Sequence, residues 1–257
     1  MEIVVVSIVA FVVAILTFFS GFGLGTILTP VFMLFFPVEI AIALTGVVHF
    51  FNNVFKLLLV GKRADWQVVK RFGVPAVIAA FIGSWMLLSM IDLEPIFSYK
   101  INEREFYIYP LKLTIAILLI IFALIDLIPY FQKFQFSKDK LPIGGALSGF
   151  FGGLSGNQGA LRTAFLIRAG LTKESFIATA VVISTFVDFT RLSIYFANFK
   201  TADLASNINL VISATLAGIL GSYIGNRVLK KVTLQSIQTL VAIMLILISI
   251  ALALGLI

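Results

Sequence analysis

Six apolar stretches, each long enough to cross a lipid bilayer, set the terms for this sequence: residues 40–60, 72–90, 111–129, 175–197, 208–228 and 237–257. A bilayer core is about 30 Å thick and takes about 20 apolar residues of helix to cross. Of the 257 residues, 60% are hydrophobic and only 12% charged. A water-soluble fold of this size cannot hide that much apolar surface, because most of its residues still touch solvent. The sequence predicts an all-α polytopic membrane protein, with no room for a large soluble domain beside the membrane part.

Two further apolar segments are interrupted. Residues 3–36 are too long for one span and break at Ser20-Gly-Phe-Gly-Leu-Gly25, with Pro30 just beyond. Residues 141–169 break at Gly149-Phe-Phe-Gly-Gly-Leu-Ser-Gly-Asn-Gln-Gly159. Each glycine costs a helix about 1 kcal/mol relative to alanine, so clusters within the membrane point to broken helices or re-entrant hairpins. Irregular backbone at that depth is tolerated only where protein or water covers it. Met1-Glu2, running straight into apolar residues, lacks the basic flank and small-residue cleavage site of a signal peptide and reads as the first membrane element.

Loop charges orient the chain. Lys62, Arg63, Lys70 and Arg71 flank one loop, Lys133, Lys138 and Lys140 occupy a second, and Arg227, Lys230 and Lys231 a third. All three fall on the cytoplasmic side, as the positive-inside rule asks, if each broken segment turns back to the side it started from. Two complete spans per broken segment would satisfy the same charges. The hairpin arrangement makes residues 1–130 one membrane repeat and 141–257 a second, inverted repeat, joined by a cytoplasmic linker at 131–140. Each repeat is then a glycine-broken helical hairpin followed by three transmembrane helices, a common plan for secondary transporters. A shift of 134 residues matches Gly25 with Gly159, Thr29 with Thr163 and Thr45 with Thr179.

Composition removes several kinds of chemistry. There are no cysteines and one histidine, so the sequence offers no disulfide, thiolate metal site or His-rich metal or haem site, and no metal or cofactor is expected. The net charge of +7 is spread over loops between apolar runs, which suits an anionic inner leaflet and not nucleic acid.

Polar residues inside apolar spans carry the functional signal. Thr45, His49, Asn52 and Lys56 recur at intervals of four, three and four, one helical face, with Asn53 beside them. Ser184, Asp188, Arg191 and Tyr195 repeat those intervals on a later span. A charge at the bilayer centre costs about 2.5 kcal/mol or more, so such stripes face the bundle interior or a watery cavity. Lys56 also lies near enough to Lys62 to snorkel toward headgroups. Asp188 and Arg191 can neutralise each other at i, i+3, and Asn52 and Asn53 can hold helices together. His49, the one group whose unperturbed pKa lies near neutrality, is a candidate proton carrier, as is Asp188.

Arg162 follows the second break by one turn, where a returning half-helix would start. Unpaired N–H groups at such a start favour anions, and an arginine adds a planar fork suited to oxyanions. Asn157 and Gln158 offer further donors. The alternative is a purely structural pair of Arg162 with Asp188. Two other motifs are decoys. Gly21-x-Gly23-x-Gly25 has no strand–helix unit around it and is no dinucleotide loop. Gly153-Leu-Ser-Gly156 looks like an intramembrane serine protease motif, but His49 precedes it and no base follows, so no enzyme is expected. The pairs Gly145-Gly149, Gly149-Gly153 and Gly221-Gly225 fit close helix packing.

Taken together, Ser20-Gly-Phe-Gly-Leu-Gly-Thr-Ile-Leu-Thr-Pro30, Ala43-Leu-Thr-Gly46 and Phe50-Phe-Asn-Asn53 resemble the first half of the sulfite exporter TauE/SafE family of permeases. Gly149 to Gly156, Gly159-Ala-Leu-Arg162, Ala178-Thr179 and Asp188-Phe-Thr-Arg191 resemble its second half. The resemblance implies a transporter of small anions, chiefly sulfite and organosulfonates, in a plasma membrane. It carries over to Gly21, Gly23, Gly25, Pro30, Asn53, Gly156, Gly159, Arg162 and Arg191. Asn157-Gln158, where family members usually have more glycine, and Ala164, in place of a proline opposite Pro30, depart from it.

The sequence thus predicts a secondary transporter whose two glycine breaks, at Gly21, Gly23, Gly25 and at Gly156, Gly159, meet near the midplane. Arg162 and Arg191 are expected to hold a small anion, oriented by Asn52, Asn53, Asn157 and Gln158 with Thr45 and Thr179, and His49 or Asp188 to carry a coupling proton. An anion channel lined by the same groups is the alternative.

Overall fold

The computed structural model describes residues 2–18, 23–128, 136–198, 207–228 and 235–257. Largely apolar runs wind into α1 (Glu2–Thr17), α2 (Gly25–Met33), which carries Pro30 within it, α3 (Val38–Val60) and α4 (Trp66–Ser89). A β-hairpin of β1 (Phe97–Ile101) and β2 (Arg104–Ile108) follows, then α5 (Pro110–Leu127). The remainder is α6 (Leu141–Ser155), α7 (Gly159–Leu166), α8 (Lys173–Asn198), α9 (Ile208–Val228) and α10 (Gln235–Ala253). Among the described residues, four helices are long and apolar enough to cross a membrane: α3, α4, α8 and α9.

The expected spans correspond to helices, with two differences. The span expected from residue 72 starts at Trp66, because the Asp65 carboxylate caps the helix by accepting from Gln67 N at 2.9 Å and Val68 N at 3.0 Å. The loop expected between 91 and 110 contains the hairpin, whose turn residue Asn102 takes a left-handed φ of 55°. Tyr99 reaches the end of α10, donating its hydroxyl to Leu254 O at 2.6 Å.

Glycine seams join the helices. A β-carbon at Gly145, Gly149 or Gly153 of α6 would run into the carbonyl oxygens of Phe72, Ala76 or Ala80 on α4, so the two backbones lie in direct contact. Gly221 of α9 meets Phe11 O of α1 in the same way. The other principal pairs are α3 with α8 and α5 with α10. Each of these pairings joins an element before the 131–140 segment to one after it. Large apolar side chains at helical spacing point outward, among them Ile78, Phe81 and Trp85 on α4 and Ile212, Leu216 and Leu220 on α9. In water such stripes would be a liability; in lipid they are the expected outer surface.

The second broken segment turns back on itself. Gly156, with φ 75°, closes α6, and α7 runs back until Phe165 covers Gly144 near the start of α6. Phe136 N–H donates to Ala164 O at 3.4 Å, so the chain arrives and leaves side by side. Eight residues give α7 a length of about 12 Å, too short to cross a bilayer. In the first segment the break separates α1 from the nine-residue α2.

Candidate functional site

The two breaks meet. Thr26 Oγ1, at the start of α2, donates to Asn157 Oδ1 at 3.3 Å. A β-carbon at Gly25 would lie 3.4 Å from Gly156 O. Two positions in this crossing demand glycine, both with left-handed backbone: Gly23 at φ 106° and Gly156 at φ 75°. A side chain at Gly23 would press on His49 Nε2, 2.9 Å from its β-position, and one at Gly156 on Arg191 Nη1 at 2.8 Å. Gly159 opens α7. Gly21 lies outside the described residues.

Beside the crossing is a cleft of about 20 Å³. His49, Asn53 and Lys56 of α3 form one wall at helical spacing, and Ser184, Val181, Ala180 and Ile177 of α8 another. Arg162 enters from α7, while Thr17, Phe18 and Gly23 close the side toward the first break. The guanidinium of Arg162 donates to the Ser184 hydroxyl. Lys56 Nζ sits 5.4 Å from the Phe18 ring centroid and the residue is only 3% exposed, so it does not snorkel to the surface.

Behind the cleft, Asp188 has both carboxylate oxygens engaged. His49 Nδ1 lies 2.6 Å from Oδ2, which also accepts from Asn53 Nδ2 at 3.0 Å. Oδ1 accepts from Arg191 Nε at 3.0 Å, with Arg191 Nη2 in ion-pair contact at 2.9 Å. A ring nitrogen this close to a carboxylate donates, so the His49 proton belongs on Nδ1 and Nε2 faces Gly23. Among the described residues, the buried charged side chains are Lys56, Arg162 and Arg191 against Asp188 alone, with His49 neutral or adding to the positive side. Taking charges out of water is costly unless they are compensated, so such an arrangement suits a compact anion.

The structure separates the predicted site residues into three groups. Asn53, Arg162 and His49 line the cleft, with Asp188 directly behind. Arg191, Asn157 and Thr45 gather at the crossing of the breaks, where Thr45 Cγ2 is 3.6 Å from the Gly25 β-position; Gln158 packs on Gly152 beside it. Asn52 and Thr179 lie apart from the cleft. Asn52 faces α9 and accepts from Ser222 Oγ at 2.7 Å. Thr179 Oγ1 accepts from Asp65 N at 2.9 Å and ties α8 to the start of α4. Lys56 and Ser184 also line the cleft; their spacing sets them on the polar stripes, but the sequence did not single them out among the anion-binding residues.

Residues 6–252 match the model of the family described as Sulfite exporter TauE/SafE. No curated protein and no solved structure matches the chain. A match over nearly the whole length, on a helical bundle with lipid-facing surfaces, shows that this membrane protein belongs to the sulfite exporter TauE/SafE family of transporters.

Proposed function

We propose that the protein is a secondary transporter of a small oxyanion, sulfite or an organosulfonate, acting as a multi-pass protein of the plasma membrane. The observation that carries this reading is the buried surplus of positive charge at the cleft: Lys56 and Arg162 face it, while Asp188 behind it, the one buried carboxylate among the described residues, is already held by His49, Asn53 and Arg191. An oxyanion would accept from Arg162, Lys56 and Asn53 at once.

In this reading residues 1–130 and 141–257 are inverted repeats around the cleft, joined by the cytoplasmic segment 131–140. The reciprocal pairing of α1 with α9, α4 with α6, α3 with α8 and α5 with α10 supports it. The far half of α8 is packed shut: Arg191 Cζ lies 3.3 Å from the Gly46 β-position, and the Tyr195 hydroxyl donates to Gly153 O. Movement of the repeats about the crossing glycines would open that side as the other closes.

His49 supplies the coupling. A protonated His49 adds positive charge at the cleft wall and favours the anion, and a bound anion favours the proton to the same extent. Anion affinity therefore rises as pH falls. The test is counterflow: proteoliposomes preloaded with unlabelled sulfite should accumulate labelled sulfite, saturably. Uptake with no counterflow and no saturation would identify a channel and overturn the carrier reading.

A further inference from the structure

We propose a second binding site, for one anionic phospholipid, in an apolar groove between α5 and α7. The groove has a volume of about 380 Å³. Ile121, Leu124 and Ile125 of α5 form one wall, Ala160, Leu161 and Ala164 of α7 the other, and Phe136 its end. Ile121 is 45% and Leu124 37% exposed, so the groove faces outward, where a membrane protein meets lipid. A phospholipid acyl chain satisfies such a lining, because no polar group has to be matched.

The end marked by Phe136 is basic. Phe136 is fixed there by its ring stacked on Phe165, centroids 4.2 Å apart, and by its hydrogen bond to Ala164 O. Two and four residues on, Lys138 and Lys140 are exposed, and Arg168, one turn past Ala164, is exposed as well. Asp139 is the one acidic side chain in the Lys138–Lys140 turn. Basic groups around a cleft between membrane helices select anionic headgroups.

The groove has a cause in the sequence. Under the 134-residue shift, Thr26 and Pro30 of α2 correspond to Ala160 and Ala164 of α7. α2 is buried along its whole length, whereas at Ala160 and Ala164 the smaller side chains leave space beside α5. Ala160 and Ala164 on the groove each stand two positions from Arg162 in the cleft, about 200° around the helix, so the lipid would lie against the opposite side of the two-turn helix that carries the cleft arginine.

The test uses the purified full chain and native mass spectrometry with phosphatidylglycerol and phosphatidylcholine. One phosphatidylglycerol should be retained in preference to phosphatidylcholine, and Ala164→Trp should reduce its retention at least about tenfold. Lys138→Gln, Lys140→Gln and Arg168→Gln combined should remove the headgroup preference. Ile121→Trp fills the groove from the other wall and serves if Ala164→Trp does not fold. Photoactivatable acyl chains should label residues 121–125 and 160–164. Equal retention of both lipids by the wild type, wild-type retention in a folded tryptophan variant, or labelling only elsewhere would overturn the proposal.

Discussion

α2 and α7 each follow a glycine break, and their chemistry is opposite. α2, Gly-Thr-Ile-Leu-Thr-Pro-Val-Phe-Met, has no charge and is buried throughout. α7, Gly-Ala-Leu-Arg-Thr-Ala-Phe-Leu, puts Arg162 where the 134-residue shift places Leu28, and leaves Leu161, Thr163 and Ala164 half-buried. Leu28 is wholly buried, and Arg162 is 3% exposed at a cleft. The two short helices thus differ in what they carry: α2 fills space, and α7 places a cation at the cleft. The same division runs through the long helices, with α3 bringing His49, Asn53 and Lys56 to the cleft and α8 bringing Asp188, which anchors His49 and Asn53.

The sharpest way to break this comparison is to make α7 like α2. Arg162→Leu should lower sulfite counterflow by about 100-fold or more, since losing one partner of a desolvated charge pair costs about 2–5 kcal/mol. A rate near wild type would remove Arg162 from the site. Lys56→Gln asks whether the cation asymmetry extends to α3; it should weaken apparent sulfite affinity about tenfold, read from the concentration dependence of uptake. His49→Gln should flatten the rise in affinity on acidification while leaving affinity at alkaline pH near that of wild type. A retained pH slope would assign the coupling to another group. The smallest effect belongs to Thr179→Val. It removes the acceptor for Asp65 N and should cost about 1 kcal/mol of stability in a thermal melt, with sulfite affinity unchanged.

The breaks, the spans and the two polar stripes were legible because each rests on local chemistry: glycine clusters, apolar length and helical spacing. The choice between Asn52 and Asn53 was not. Adjacent helical residues differ by about 100° in direction, and only the packing of α9 decides that Asn52 turns to Ser222 while Asn53 reaches Asp188. Lys56 read equally well as an interfacial lysine, because a sequence does not show that Phe18 folds over it. Thr179 aligned with Thr45 by position, yet one ties down Asp65 and the other sits at the break crossing. The hairpin at 97–108 escaped notice because its strands of five residues each lie in a mixed-charge loop, and contact with the end of α10 helps to hold them.

The most direct test of the central claim is calorimetric titration of sulfite into the purified protein and its Arg162→Leu variant. The account predicts saturable binding at one site in the wild type, tightening as pH falls, and no measurable binding in a variant with an unchanged melting temperature. Binding of wild-type strength to Arg162→Leu would contradict it.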